Sequence, residues 1–372
     1  MQSNESSSVS AALSSLIRQA IVRQGGWLPF DRFMAMVLYA PGLGYYANGS
    51  RKFGLLPQSG SDFVTAPELS PLFGRAVARQ VAQALQACAS REVWEFGAGS
   101  GALAEQLIEG LAEQGITLQR YTIVDLSGSL IDRQQMRLAR FGDTVRWSAT
   151  LPDALHGVVV GNEVLDAMPV QLLHFDGRDW QERGVVAAGQ DFAWADRPTE
   201  LRPPVDGPFV PGSVTEIHAQ AEAFIATLAD RLQRGAAFFI DYGFPEAEYY
   251  HPQRIGGTLM CHQAHQADAD PLVQLGLKDI TSHINFTGIA LAAQNAGLEV
   301  LGYTTQAHFL INCGLVEKLQ HADFRSLAHA QKLMTEHEMG ELFKVIAFAR
   351  GCDPAFTAAP LGFEHGDRTH TL

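Results

Sequence analysis

The sequence predicts an α/β fold, an open and mostly parallel sheet with helices on both faces, finished by an antiparallel pair of strands. Three observations carry this. From residue 93 onward, short apolar runs alternate with amphipathic runs of helical length. The first apolar run ends in a glycine turn that opens a helix, VWEFGAGSGALAE. The last two strand-like runs, LEVLGYTTQ and KVIAFAR, are joined by a segment that returns the chain and provides no parallel crossover. Open sheets of this kind bind ligands beyond the carboxyl ends of their strands, so polar residues ending these runs become candidates for a site.

Each element has a local cause. Leu13, Leu16, Ile17, Ala20 and Ile21 repeat at helical spacing, and Gly25-Gly26 follows where a helix would be capped. Residues 28–70 are dense in Gly, Pro and aromatics, which predicts an ordered loop; the aromatic run around Tyr45, Tyr46 and Phe53 suits a lid or a partner surface. Ser70 and Pro71 start a second helix with Phe73, Val77, Val81 and Leu85 on one face. Residues 1–90 are therefore expected to form a helical and loop extension that acts as a lid. The main domain, 91–351, then runs VWEF, ALAEQLIEGLAEQ, YTIVDLS, DRQQMRLARF, VRWSA and GVVVGNEVLDAMP as alternating strands and helices. QLLHFDGRDWQERGVVA reads as a hairpin around Asp176-Gly177, in an insertion at about 170–213. A helix is expected over 214–232, followed by the buried strand AAFFIDYG ending in Asp241. Two further insertions fall at about 244–284 and 311–340, and 352–372 is expected to be a frayed, flexible tail.

Composition bounds the function. A chain of 372 residues, 47% hydrophobic and 18% charged, has enough apolar matter for a large core. A net charge of −13 without a dense Lys/Arg run disfavours nucleic acid. No apolar stretch is long enough for a membrane span, and MQSNESSSVS has neither an apolar core nor basic residues, so a cytoplasmic protein is expected. Cys88, Cys261, Cys313 and Cys352 lie far apart, which argues against a disulfide framework. Cys261, His262, His265 and Asp268 invite a zinc reading, but neighbouring residues diverge in a regular backbone and no second cluster completes a tetrahedron, so no metal is expected. His265 and His283 are expected to brace the insertion or touch the substrate.

The glycine turn fits two ligands. Gly97, Gly99 and Ala102 satisfy the dinucleotide pattern G-x-G-x-x-A, whereas Gly97, Gly99 and Gly101 give the G-x-G-x-G of S-adenosylmethionine (SAM) sites. Asp125, ending YTIVD, is placed to accept both hydroxyls of an adenosine ribose, which either ligand carries. Glu95 discriminates: a carboxylate in the turn repels a pyrophosphate and attracts the amino group and sulfonium of SAM. Candidate cofactor contacts are Glu95, Gly97, Ala98, Gly99, Gly101, Asp125 and Leu126. Trp147 is added as a border to the adenine, and Thr65, Pro67 and Glu68 as a cover. At the end of the fourth strand Asn162, Glu163 and Asp166 are candidate catalytic residues, a carboxylate pair able to hold two N–H groups of a guanidinium while Asn162 orients acceptor or cofactor. Simple helix capping is the bland alternative for Asp166.

TAPELSPLFG, EFGAGSGALAEQL, GNEVLDAMPV, FFIDYG, GGTLMCHQAH, DITSHINFTGIA and MGELFKVIAF together resemble the MidA-type methyltransferases, with the match running over about 38–349. The resemblance implies a Rossmann-like class I SAM-dependent methyltransferase fold with a seven-stranded sheet. For the family's mitochondrial member it implies symmetric dimethylation of an arginine on a subunit of respiratory complex I, an NADH dehydrogenase, whose assembly that member assists. Asn285 stands where the family's run has aspartate. The alternatives are a small-molecule acceptor, an NAD(P)-dependent oxidoreductase and a non-catalytic SAM-binding assembly factor. Oligomeric state is left open, a homodimer included.

Overall fold

The computed structural model describes residues 2–48, 65–263, 266–320 and 323–372; Phe53 and His265 lie outside them. The chain opens with α1 (Gln2–Arg23), which stops where Gly25 and Gly26 take positive φ and the Gly26 N–H reaches the Ile21 carbonyl at 2.9 Å. β1 (Leu28–Pro29), α2 (Phe30–Tyr39), α3 (Ala66–Leu69) and α4 (Pro71–Ala87) follow. Ser70 caps α4 by accepting from the Leu72 N–H at 3.3 Å, with Pro71 at the first helical position. The alternation then runs β2 (Glu92–Phe96), α5 (Ala102–Glu113), β3 (Arg120–Val124), α6 (Gly128–Leu138), β4 (Val145–Ser148) and β5 (Leu155–Asn162). An excursion supplies β6 (Gln171–Phe175), β7 (Trp180–Ala188), β8 (Asp191–Pro198) and β9 (Val214–Ile217) before α7 (Ala219–Arg231) and β10 (Leu232–Phe244). A second excursion holds α8 (Glu246–Tyr249), β11 (Met260–Gln263), β12 (Gln266–Asp268), β13 (Asp279–Thr281) and β14 (Ile284–Asn285). The chain finishes with α9 (Phe286–Asn295), β15 (Glu299–Thr305), α10 (Gln306–Asn312), α11 (Leu315–Leu319), α12 (Phe324–Met334), α13 (Met339–Leu342), β16 (Phe343–Arg350) and α14 (Pro354–Ala358).

The main sheet runs β15-β16-β10-β5-β2-β3-β4, with β14 beside the end of β10. β10, β5, β2, β3 and β4 are parallel, and β16 is antiparallel to both β10 and β15, the closing pair expected from the sequence. Strand order reverses between β2 and β5, so the crevice beyond their carboxyl ends is where a ligand belongs. Strand alternation sends Phe238 and Phe239 to opposite faces: Phe238 joins the core under α4 and α5 with Val77 and Leu107, Phe239 the core under α7 and α9 with Leu228 and Ile289. Because α4 belongs to the first of these cores, the expected boundary at residue 90 cuts through a packed layer.

The hairpin expected around Asp176-Gly177 is present as β6 and β7 and belongs to a larger five-stranded sheet, β1-β7-β6-β9 with β8 on β7, packed against α1 and α2 through Leu13, Ile17, Phe33, Leu172 and Val185. Two other expectations are corrected. The helix expected over 214–232 begins only at Ala219, because the β-branched Val214, Thr215 and Ile217 favour a strand and pair with β6 as β9. The tail is packed: Phe356 and Phe363 are buried, Asp353 caps α14, and the Arg368 N–H donates to the Tyr303 carbonyl at 2.6 Å. Gly302 makes room for the Phe363 ring, since a Cβ there would meet that ring at 2.4 Å. Asn285 has a structural duty, accepting from the Gly288 N–H at 3.3 Å to cap α9.

Candidate active site

Gly97, Gly99 and Gly101 have φ of 60°, 53° and 83°, left-handed values that let the chain turn from β2 into α5 with its backbone exposed to a ligand. Glu95, only 2% exposed, accepts the Tyr121 hydroxyl at 2.7 Å. Burial, with a contribution from Asp125, pushes its carboxyl up to about 8, so the site favours a cation beside it. At the end of β3, Asp125 accepts the Ser127 N–H through Oδ1 at 2.9 Å and the Gln134 amide through Oδ2 at 2.8 Å. Next to it Leu126 is 79% exposed and forms part of the cavity wall, an apolar surface suited to a flat ring.

The acceptor side is built on strain. Glu163 sits at φ 54°, uncommon for a residue with a side chain, and its N–H is tied to the Ile240 carbonyl at 2.9 Å. Asp241 Oδ2 accepts the N–H groups of Val164, Leu165 and Asp166 at 3.1, 2.9 and 3.3 Å, holding the turn around a buried carboxylate. The Asn162 amide donates to Glu163 Oε1 at 2.9 Å, and the Tyr242 hydroxyl donates to Asp166 Oδ2. Asp166 is 4% exposed; its Oδ1, like Asn162 Oδ1, is buried without a hydrogen-bond partner among the described residues. Burial and then the Asp166 charge push Glu163 up to about 8, and burial pushes Asp166 up to about 6. Burial and the same two acids also raise Asp241. No helix follows Asp166 before β6, which removes helix capping as its role.

One cavity of about 1040 Å³ joins the two sides. Glu95, Gly97, Ala98, Gly99, Asp125, Leu126, Asn162, Glu163, Asp166, Thr65 and Pro67 line it. Three expected contacts do not. Gly101 is the left-handed residue before α5, and Ala102 and Leu103 reach the wall instead. Glu68 turns to Ser100 Oγ and to Arg137 at 2.9 Å, pinning α3 to the glycine turn. Trp147, half-buried, aims its indole N–H at Gln134 Oε1, 2.9 Å away, because the enclosed indole nitrogen needs an acceptor; the wall beyond β4 is Ala149, Thr150 and Leu151.

Sequence reasoning missed several lining residues. Tyr39 and Tyr46 stack with centroids 5.5 Å apart, and Tyr46 donates to Asp279 Oδ1 and Oδ2 at 2.9 and 2.8 Å. Tyr242 and His283 meet edge to face. Asp241 and Tyr242 were visible as the polar end of FFIDYG; Asp279 carried no local signal. On β11, Cys261 faces the core of the N-terminal lobe while His262 faces the cavity, the divergence expected of neighbours in a strand.

The sheet order, the glycine turn, the strand-end acid and the buried acids beside them define a SAM-dependent methyltransferase. Residues 76–304 match the family described as "Putative S-adenosyl-L-methionine-dependent methyltransferase", and the chain belongs to that family. It is similar to a Burkholderia thailandensis protein whose crystal structure holds S-adenosyl-homocysteine, at 50% identity and TM-score 0.94 over 99% of this chain and 98% of that one. Among curated proteins it resembles the mitochondrial protein arginine methyltransferase NDUFAF7 homologue of Drosophila melanogaster, 26% identical over 94% of this chain and 88% of that protein. The corresponding Caenorhabditis elegans homologue is 24% identical over 80% of this chain and 76% of its own length.

The raised Glu95 gives a pH signature. A carboxyl raised on folding contributes stability that is complete below its ordinary value and lost as pH rises through its folded value, here from 4.5 to about 8. Glu95→Gln keeps an acceptor for Tyr121 and removes the ionisation. Melting temperature of the ligand-free variant, scanned over pH 5 to 8, is expected to fall less steeply than that of the parent. Parallel curves would show that Glu95 ionises freely.

Proposed function

We propose that the protein methylates the guanidinium of an arginine in a protein substrate. The observation that carries this is the pair of buried acceptor atoms, Asp166 Oδ1 and Asn162 Oδ1, that have no hydrogen-bond partner among the described residues and lie beside Glu163 in a cavity continuous with the glycine turn. A guanidinium offers five N–H donors in a planar fork and no acceptor, so it satisfies such a wall from several nitrogens at once, where a hydroxyl has a single donor to give. Bound SAM supplies an electrophilic methyl group and its own leaving group. The chain's residues hold it and align the acceptor: Glu95 takes up positive charge, Asp125 the ribose hydroxyls, and the backbone at Gly97, Ala98 and Gly99 the close approach. Glu163 and Asp166 fix two guanidinium nitrogens and drain charge from the cation, which turns the third nitrogen into a nucleophile. The proton released by the reaction passes to this carboxylate pair, whose raised pKa values suit it as acceptor near neutral pH.

The N-terminal extension acts as the cover. Tyr46 accepts from Ser127 Oγ through its carbonyl at 2.6 Å and donates to Asp279 through its hydroxyl, so one residue spans the cofactor side and the acceptor side. The names of the NDUFAF7 relatives support an arginine acceptor. The four cysteines are free, in keeping with a cytoplasmic setting. A respiratory NADH dehydrogenase subunit is the first substrate to test. Cell protein from a strain lacking the enzyme, incubated with methyl-labelled SAM and purified enzyme, is expected to yield labelled methylarginine after hydrolysis, on that subunit. Label only in small molecules would replace this reading with a small-molecule acceptor.

A further inference from the structure

Gln134 on α6 has no solvent exposure, and its amide is shared by three parts of the cofactor side. The orientation of the amide, Oε1 against Nε2, is fixed because each partner has a fixed sense. The Trp147 indole only donates, and it faces Oε1 at 2.9 Å. The Asp125 carboxylate and the Gly99 carbonyl only accept, and Nε2 serves them at 2.8 and 3.0 Å. One side chain thus ties the glycine turn after β2, the acid ending β3 and the tryptophan of β4. With Ser127 N–H on Oδ1 and Gln134 on Oδ2, the plane of the Asp125 carboxylate is set from both oxygens.

We propose that Gln134, itself oriented by Trp147, is the positioning residue that gives the cofactor site its selectivity for a ribose with both hydroxyls. A carboxylate receives two neighbouring hydroxyls well only in one orientation, and a freely rotating one receives either alone nearly as well. The inference rests on the assignment of Asp125 to the ribose and is independent of the acceptor's identity. It assigns a role to Trp147 that its absence from the cavity wall otherwise leaves unexplained.

The test compares binding of S-adenosylhomocysteine with that of its 2′-deoxyadenosyl analogue by calorimetry. The parent protein is expected to prefer the ribose form by about tenfold, the worth of one hydrogen bond to a charged group. In Gln134→Met the preference is expected to fall below about threefold, and in Trp147→Phe to fall part of the way, with Asp125→Asn as reference. A residue that merely fills space would weaken both ligands equally and leave the ratio intact, and that result overturns the proposal. If Asp125→Asn itself keeps the full preference, the ribose assignment fails and the inference with it. If Asp125→Asn loses the preference and both Gln134→Met and Trp147→Phe keep it, the inference alone fails. Trp147→Phe, the milder change, decides the matter should Gln134→Met not fold.

Discussion

Glu163→Gln combined with Asp166→Asn is expected to abolish methyl transfer, by about a thousandfold or more, while S-adenosylhomocysteine affinity stays within about threefold of the parent. The magnitude follows from burial. Removing the anionic partners of a buried cation costs about 3–5 kcal/mol, which is two to three or more decades in rate if the pair contacts the guanidinium as it reacts. Each single change is expected to cost about a hundredfold, since the remaining acid still neutralises most of the charge. Both substitutions are near-isosteric, and Asn162 and Tyr242 keep a partner at each amide, so folding is not at stake. Labelled-methyl transfer to a protein substrate and calorimetry on the same preparations separate the two quantities. A double variant that transfers methyl groups normally would sink the carboxylate mechanism. One that is inactive in vitro yet sustains respiratory assembly in cells would favour the non-catalytic assembly role.

The strained backbone of Glu163 belongs to the same argument. Holding a glutamate at φ 54° costs of order 1 kcal/mol, and the Ile240 carbonyl and the Asp241 carboxylate are what hold it. The benefit is direction: the turn brings Asn162, Glu163 and Asp166 to one wall, where a regular continuation of β5 would alternate them between faces.

How far this was legible in the sequence depends on the range of the interactions. The glycine turn, Asp125 and the GNEVLDAM run could be placed because strand and helix periods and turn chemistry are local. The misses are long-range. Trp147 and Glu68 were expected at the cofactor because of where they fall in the chain, but each is claimed by a partner in another element, Gln134 and Arg137. Gln134 looked like one polar residue in a polar helix, and only the fold reveals that it is buried. Asp279 lies beyond an irregular segment, and its approach to Tyr46 across more than two hundred residues follows from the pairing of β13 with β11. The tail was expected to fray because chain ends usually do; what holds it is distant, the Phe363 ring lying in the space left by Gly302 and the Arg368 N–H reaching the Tyr303 carbonyl.

Gly99→Val is expected to lose S-adenosylhomocysteine binding by at least about a hundredfold. Two costs add. Valine at φ 53° is a β-branched residue in the left-handed region, disfavoured by roughly 1–2 kcal/mol or more. Relief of that strain rotates the peptide and withdraws the Gly99 carbonyl from Gln134, which in turn frees Asp125. The side chain also occupies space on the cavity wall, where the backbone was bare. Asp125→Asn replaces one acceptor oxygen by a donor that faces the Ser127 or Gln134 N–H and weakens the hydroxyl contacts, but leaves the backbone turn intact, and is expected to cost about tenfold to thirtyfold, so the order of the two variants distinguishes a backbone cradle from the strand-end acid. Calorimetry with the ligand, alongside circular dichroism to establish that the variant folds, measures both. Equal, small losses in the two would mean that the ligand lies away from the turn, and the cofactor contacts would have to be redrawn around the acids at the end of β5.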